Sequence, residues 1–255
     1  MIVSTPYWKQ IAKRTLPSPI HNWLKTKLRG KKHSPPIGKV NFGNLRRLTP
    51  ISREFGYDRG LPIDRYYIEN FLACQAQNIC GRVLEIGDAT YTKRFGEDRV
   101  TQSDVLHVVE GHPEATIIGD LTNGDNIPSE AFDCVILTQT LHLLYDLKKA
   151  LANIYRILKP GGVLLVTVPG ISQVVKCDWG DDWCWALTTQ STQLLFEEFF
   201  PQTDIQVEVH GNVLAAIAFL QGLAVEELKS EELDYQDDEY QVLITVKAIK
   251  PKVVL

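Results

Sequence analysis

Residues 82–90 read Arg82-Val83-Leu84-Glu85-Ile86-Gly87-Asp88-Ala89-Thr90. Val83, Leu84 and Ile86 make a short apolar run that carries one acid, Glu85, and Gly87 then opens a tight turn. A strand that delivers such a turn at its carboxyl end is how open α/β sheets build a nucleotide or cofactor site. Strands alternate with helices from residue 82 onward, the pattern of a mostly parallel sheet covered on both faces. The residues predict strands at Val83–Ile86, Val100–Ser103, Ala115–Ile118, Phe132–Thr138 and Val163–Val168. The clearest helix runs from its cap Asp146 to Leu158, with Leu147, Ala150, Leu151, Ile154, Ile157 and Leu158 on one face. It ends at Lys159-Pro160-Gly161-Gly162, a cation followed by breakers. A second helix over residues 190–200 stops at Pro201. Then come a strand at Ile205–Val209, an apolar helix at Val213–Ala224 and a closing strand at Tyr240–Lys247.

The chain has 255 residues, 44% hydrophobic and 23% charged, which suits one globular domain with extensions. No apolar run approaches the ~20 residues that span a bilayer, and no secretory signal opens the sequence. The five cysteines form no Cys-x-x-Cys pair, which argues against a zinc or disulfide framework. A cytoplasmic location is the expectation that follows. Charge is split: residues 1–50 hold eleven of the 27 Lys and Arg and no acid, so the remainder carries 16 bases against 31 acids. The basic arm suits an anionic surface or carrier, a peripheral membrane contact through Trp23 among its lysines, or the protein's own acidic body. Residues 226–239, rich in acids, read as a solvated loop or a surface answering that arm.

Residues 41–72 interleave Arg46, Arg47, Arg53, Arg59 and Arg65 with Phe42, Phe55, Tyr57, Tyr66 and Tyr67. Arginine among aromatics suits carboxylates, phosphates and stacked rings. The stretch reads as a lid or flank of the site, too polar for a buried element, with Asp64 opening a helix. The expected organisation is a basic extension and lid over 1–75, then a cofactor domain over 76–255 with an insertion at about 210–239.

Four stretches in order resemble class I S-adenosylmethionine (SAM)-dependent methyltransferases, the type 11 group in particular. They are Val83-Leu84-Glu85-Ile86-Gly87, Gly119-Asp120, Phe132-Asp133-Cys134-Val135-Ile136 and Arg156-Ile157-Leu158-Lys159-Pro160-Gly161-Gly162. The front stretch from Phe42 to Leu72 also resembles methyltransferases found beside bacterial glycosyltransferases. The resemblance implies a Rossmann-like seven-stranded sheet in order 3-2-1-4-5-7-6 with the last strand antiparallel, and SAM as cofactor. It implies that Glu85, Gly87 and Asp88 stand at the methionine end, and that Asp104 binds the ribose from the end of the second strand. Asp120 would take the adenine amino group beside Leu121, and Thr138 and Gln139 would line the transfer site.

Three departures stand out. Ala89 and Tyr91 occupy positions where the family has glycine, and Asp88 adds a negative charge that Arg59, Arg65 or Arg94 could offset. The stretch between Asp104 and Ala115 is too short for the usual second helix.

A hydroxyl acceptor needs its proton removed, and His142 just past the fourth strand is the candidate base. Asp178, Asp182, Trp183 and Trp185 in the next loop, with Arg65 and Tyr66, are expected to bind the acceptor, since Trp faces suit rings and carboxylates suit hydroxyls. Nothing fixes a third ligand for Mg²⁺, so no metal is expected. The acceptor would be a sugar, a glycan or another small metabolite. Two rival readings remain: a catalytically degenerate SAM-fold scaffold, and an RNA methyltransferase using the basic arm. The acidic body argues against nucleic acid as a partner.

Overall fold

The computed structural model describes residues 35–174 and 183–252. Contacts divide the chain into Met1–Leu48 and Thr49–Leu255. In the first unit, the described residues hold one 3₁₀ turn at Gly43–Leu45, with the Arg46 guanidinium 5.0 Å over the Phe42 ring. The second unit therefore begins well before residue 76, the start expected from sequence.

Seven strands form one sheet in the order β3-β2-β1-β4-β5-β7-β6. They are β1 (Gly81–Ile86), β2 (Val100–His107), β3 (Ile117–Ile118), β4 (Phe132–Thr138), β5 (Leu158–Pro169), β6 (Ile205–His210) and β7 (Leu243–Ile249). The first five pair in parallel, and β7 runs antiparallel to both its neighbours. Carboxyl ends of β1, β2, β4, β5 and β6 consequently share one edge, where a ligand site belongs in this topology.

Among the described residues, five α-helices accompany the sheet: α1 (Ile63–Cys74), α2 (Leu147–Ile157), α3 (Thr189–Glu197), α4 (Val213–Leu220) and α5 (Ser230–Asp234). α2 is capped by the Asp146 side chain, which accepts from the Lys149 N–H. Its apolar stripe joins Leu84, Val135 and Leu164 on one sheet face. The Lys-Pro-Gly-Gly run lies inside β5 rather than forming a break, since Leu158 is already extended. No helix separates β2 from β3, in line with the short spacing.

The opposite face corrects two expectations. α1 is not a polar flank: Ile63, Tyr67, Ile68, Phe71 and Leu72 are buried with Val83, Ile136 and Leu165. These positions recur at helical spacing, so Arg65 and Glu69 fall on another face, while Asp64 is buried with the apolar set. The acid-rich segment is also not an open loop, because its α5 buries Leu233, whose carbonyl accepts a bond from the Tyr67 hydroxyl at 3.0 Å.

Residues 49–62 and 220–228 are laced together by backbone bonds. Ile51 and Ser52 N–H groups donate to the Gln221 carbonyl, and Val225 N–H donates to the Leu61 carbonyl at 2.7 Å. Gly56 (φ +95°) and Gly222 (φ +67°) make this approach possible. A Cβ at Gly56 would stand 2.6 Å from the Leu223 carbonyl oxygen, and one at Gly222 would strike the Ser52 carbonyl.

Candidate active site

The turn after β1 is held from below. Glu85 is 2% exposed, and its carboxylate accepts the N–H groups of Tyr91 (3.1 Å) and Thr92 (2.7 Å). Burial pushes its pKa up to about 7 in spite of those bonds. Glu85 thus shapes the turn from within rather than facing a ligand. Gly87 donates to the Leu106 carbonyl at 3.0 Å with φ +90°, and nothing lies within 4 Å of the place a Cβ would occupy. That open backbone is the cradle a ligand needs. Asp88 is exposed and accepts from Thr90 N–H, an Asx turn. The Glu114 carboxylate takes the Ala89 N–H (3.2 Å) and the Lys93 ammonium (3.0 Å). Tyr91 stacks on Phe95, with ring centroids 6.0 Å apart, and packs against the core on the α1 side of the sheet.

None of the three arginines expected near Asp88 pairs with it. Arg59 binds Glu227, and Arg94 binds Glu69 at 2.7 Å. Arg65 donates from Nε to the Tyr57 hydroxyl at 2.8 Å.

Asp104 is corrected. It lies three residues inside β2, 5% exposed, and its carboxylate accepts from Arg82 Nε (2.7 Å), Gln102 Nε2 (3.1 Å) and the Thr116 hydroxyl (2.9 Å). The strand continues to His107, so that histidine holds the end position assigned to the acid. Its ring stacks on His112 with centroids 4.5 Å apart. The sequence signal that hid this was the strand's length, since the polar Thr101-Gln102-Ser103 run reads as a strand end. Asp120 is exposed after β3 and accepts from the N–H and hydroxyl of Thr122. Leu121 is buried in the core beside Leu84 and Leu106.

The end of β4 sits one strand over. Glu85 pairs with Ile136, so Gly87 is level with Thr138 at a spacing of about 4.8 Å between strands. Gln139 follows in a left-handed conformation (φ +46°), its N–H donating to the Thr167 carbonyl at 3.0 Å. Non-glycine residues held this way concentrate at ligand and catalytic sites. His142 comes next, 2% exposed, with Nδ1 buried and lacking a hydrogen-bond partner. Burial lowers its pKa to about 4, so the ring is neutral at pH 7.

Trp183 lies against that imidazole with centroids 4.3 Å apart, and Phe55 stacks on Trp183 at 6.4 Å. Phe55 also stacks on Phe219 of α4 at 5.8 Å, its backbone left-handed (φ +56°) to turn the ring inward. One aromatic wall therefore joins the front segment, α4 and the loop after β5. Trp185 is set apart, donating from its indole to the Leu144 carbonyl and stacking on Tyr145.

Tyr66 is not part of this wall: its hydroxyl donates to Asp234 at 2.6 Å, toward a cavity of about 120 Å³ beside His210. The expected acceptor residues Asp178 and Asp182 lie outside the described residues. Among the described residues, no cluster of three or more His, Cys, Asp and Glu could hold a metal ion. None of their helices is long and apolar enough to cross a membrane.

Residues 76–166 match the methyltransferase domain family model. Its fold is that of the class I SAM-dependent methyltransferases. The methyltransferase fold is shared with phosphoethanolamine N-methyltransferase 2 of Haemonchus contortus, solved with phosphomonomethylethanolamine and S-adenosylhomocysteine. That likeness has 17% identity, covers 72% of this chain and 53% of the other, and has a TM-score of 0.50. The [4+2]-cyclase SpnF is also similar, at 18% identity over 80% of this chain and 87% of the other, TM-score 0.50. A methyltransferase fold thus also serves a cyclase, and the reaction has to be argued from the site. The ubiquinone/menaquinone biosynthesis C-methyltransferase UbiE of Marinomonas sp. (strain MWYL1) is 51% identical over 39 residues. This match spans 15% of the present chain and 16% of UbiE.

Proposed function

We propose that this chain transfers a methyl group from SAM to a hydroxyl of a sugar, a glycan or another small metabolite. The observation that carries this reading is the open backbone at Gly87, level with Thr138 and one loop away from a buried neutral imidazole. When bound, SAM would supply an electrophilic sulfonium methyl, which passes to an oxygen nucleophile as the carbon–sulfur bond breaks and S-adenosylhomocysteine leaves. Gly87, Thr138 and Gln139 would line the cofactor, with Asp120 and Leu121 toward its base.

The protein's part is positioning. Glu85 fixes the turn by holding two of its N–H groups. His142 Nδ1, which has no hydrogen-bond partner within the protein, would accept the hydrogen bond of the acceptor hydroxyl and take its proton as the bond to carbon forms. Trp183 and Phe55 offer flat apolar faces that suit a ring acceptor and exclude water from the transfer.

A second reading has a specific observation behind it: the Glu114 carboxylate already occupies the Ala89 N–H, and Asp88 adds charge beside it. That arrangement suits a scaffold that has lost the cofactor. Calorimetric titration with SAM and S-adenosylhomocysteine separates the two. Saturable binding supports the enzyme, and no heat from either ligand sinks it.

A further inference from the structure

The N-terminal turn of α1 holds two adjacent residues of opposite charge whose bonding is incomplete. Asp64 is 8% exposed, and its Oδ1 is buried without a hydrogen-bond partner. A buried polar oxygen left in this state costs free energy unless something donates to it. Burial accordingly raises the Asp64 pKa.

Its neighbour Arg65 is half-buried and forms no salt bridge among the described residues, where the one hydrogen bond of its guanidinium runs from Nε to the Tyr57 hydroxyl. A guanidinium has five N–H donors, so most of its fork is available to a planar anion. Burial works against the Arg65 charge, and Asp64, Tyr91 and Tyr57 outweigh it, so the group stays cationic.

The position of this pair is set by two contacts. Arg65 and Glu69 stand one helical turn apart and share a face of α1. Glu69 binds Arg94, in the turn that follows the Gly87 cradle, at 2.7 Å. The Tyr91 hydroxyl lies in the field of both Arg65 and Asp64. The α1 terminus is thus held against the segment 91–94, beside the turn where Ala89 and Tyr91 replace glycine. Arg59 and Arg94 already have carboxylate partners, so Arg65 is the arginine left to face an anion there.

We infer that Asp64 and Arg65 recognise the zwitterionic amino-acid head of the cofactor, Arg65 taking its carboxylate and Asp64 its ammonium. The inference rests on the SAM reading above and adds the residues that hold the methionine end. It also explains how a turn with Asp88 at its tip could tolerate a ligand carboxylate: the compensating charge comes from α1, not from glycine backbone.

The test uses two ligands with the same adenosine and thioether: S-adenosylhomocysteine, which carries the amino-acid head, and 5′-methylthioadenosine, which lacks it. Both are titrated calorimetrically into the full chain, Arg65→Met and Asp64→Asn. The expected result is that each variant loses about tenfold or more in affinity for S-adenosylhomocysteine, as for a charged hydrogen bond. Affinity for 5′-methylthioadenosine should stay within about twofold, which also reports that the variant is folded. Equal losses for both ligands, or no loss for either, would overturn the assignment. Binding of neither ligand by the unaltered chain would instead sink the SAM reading itself.

Discussion

Replacing Gly56 by alanine is a direct test of how the front segment is held. At φ +95° an L-residue is strained by roughly 1–2 kcal/mol relative to glycine. The new methyl would also stand 2.6 Å from the Leu223 carbonyl oxygen, a contact that forces the two backbones apart. Overpacking of this kind costs about 1–3 kcal/mol, so the sum is roughly 2–5 kcal/mol. The alternative for the chain is to release the seam, losing the bonds of Ile51, Ser52 and Val225 to the opposite backbone. Amide hydrogen exchange distinguishes the two. We expect Ser52 and Val225 to lose protection strongly in Gly56→Ala, while the β4 and β5 amides change little. Phe55 would move with the segment, so its stacks on Trp183 and Phe219 should loosen as well. Gly222→Ala should give the same pattern. The double variant should fall short of the sum, since both changes open one seam. Wild-type protection at Ser52 and Val225 in Gly56→Ala, with unfolding free energy unchanged within about 0.5 kcal/mol, would refute the reasoning.

Glu85 and His142 should tilt the pH dependence of stability in opposite directions. The Glu85 pKa rises from 4.5 to about 7, so the stability it contributes is present below pH 4.5 and is lost as pH climbs through 7. That amounts to about 3 kcal/mol at 1.36 kcal/mol per pH unit. Urea unfolding of Glu85→Gln at several pH values should lack this decline, and parallel curves would contradict it. The His142 pKa falls from 6.5 to about 4, so its contribution is present above 6.5 and lost as pH drops toward 4. His142→Leu should remove that acid-side loss from the unfolding curves and abolish methyl transfer while leaving cofactor affinity intact. Asp104→Asn should cost about 1–3 kcal/mol of stability through the Arg82 pair. Its affinity for S-adenosylhomocysteine should hold, and a large loss by titration would return Asp104 to the ribose.

Much of the sheet was readable because its signals are local. The Phe132–Thr138 strand appears with the bounds expected, and Asp146 caps its helix through a residue three positions on. The strand order came from the family resemblance carried by the ordered motifs, and the sheet follows it. What escaped depends on partners distant in sequence. Asp104 looks like a ligand-binding acid until Arg82, on the adjacent strand, is seen to hold it. α1 looks polar because its arginine and acids are conspicuous, although the residues at core spacing decide where it packs. Asp64 reads as a helix-opening residue, and its unsatisfied oxygen emerges only from burial by neighbouring elements. Gly56 and Gly222 resemble any other turn glycines until the two backbones meet. The aromatic wall draws on Phe55, His142, Trp183 and Phe219, which no spacing rule connects.

The seam between residues 49–62 and 220–228 bears on the order in which the molecule assembles. Leu61 and Val225 are joined by a backbone bond across most of the chain, and Arg59 reaches Glu227 across 168 residues. Closing so long a loop carries an entropic cost that local contacts do not repay early. During synthesis the front segment emerges first, yet its docking partner leaves the ribosome only after six of the seven strands have been made. Phe55 would therefore wait, exposed, until then, and the aromatic wall would be among the later parts of the protein to form. A truncation before residue 219 would leave that ring without its Phe219 partner.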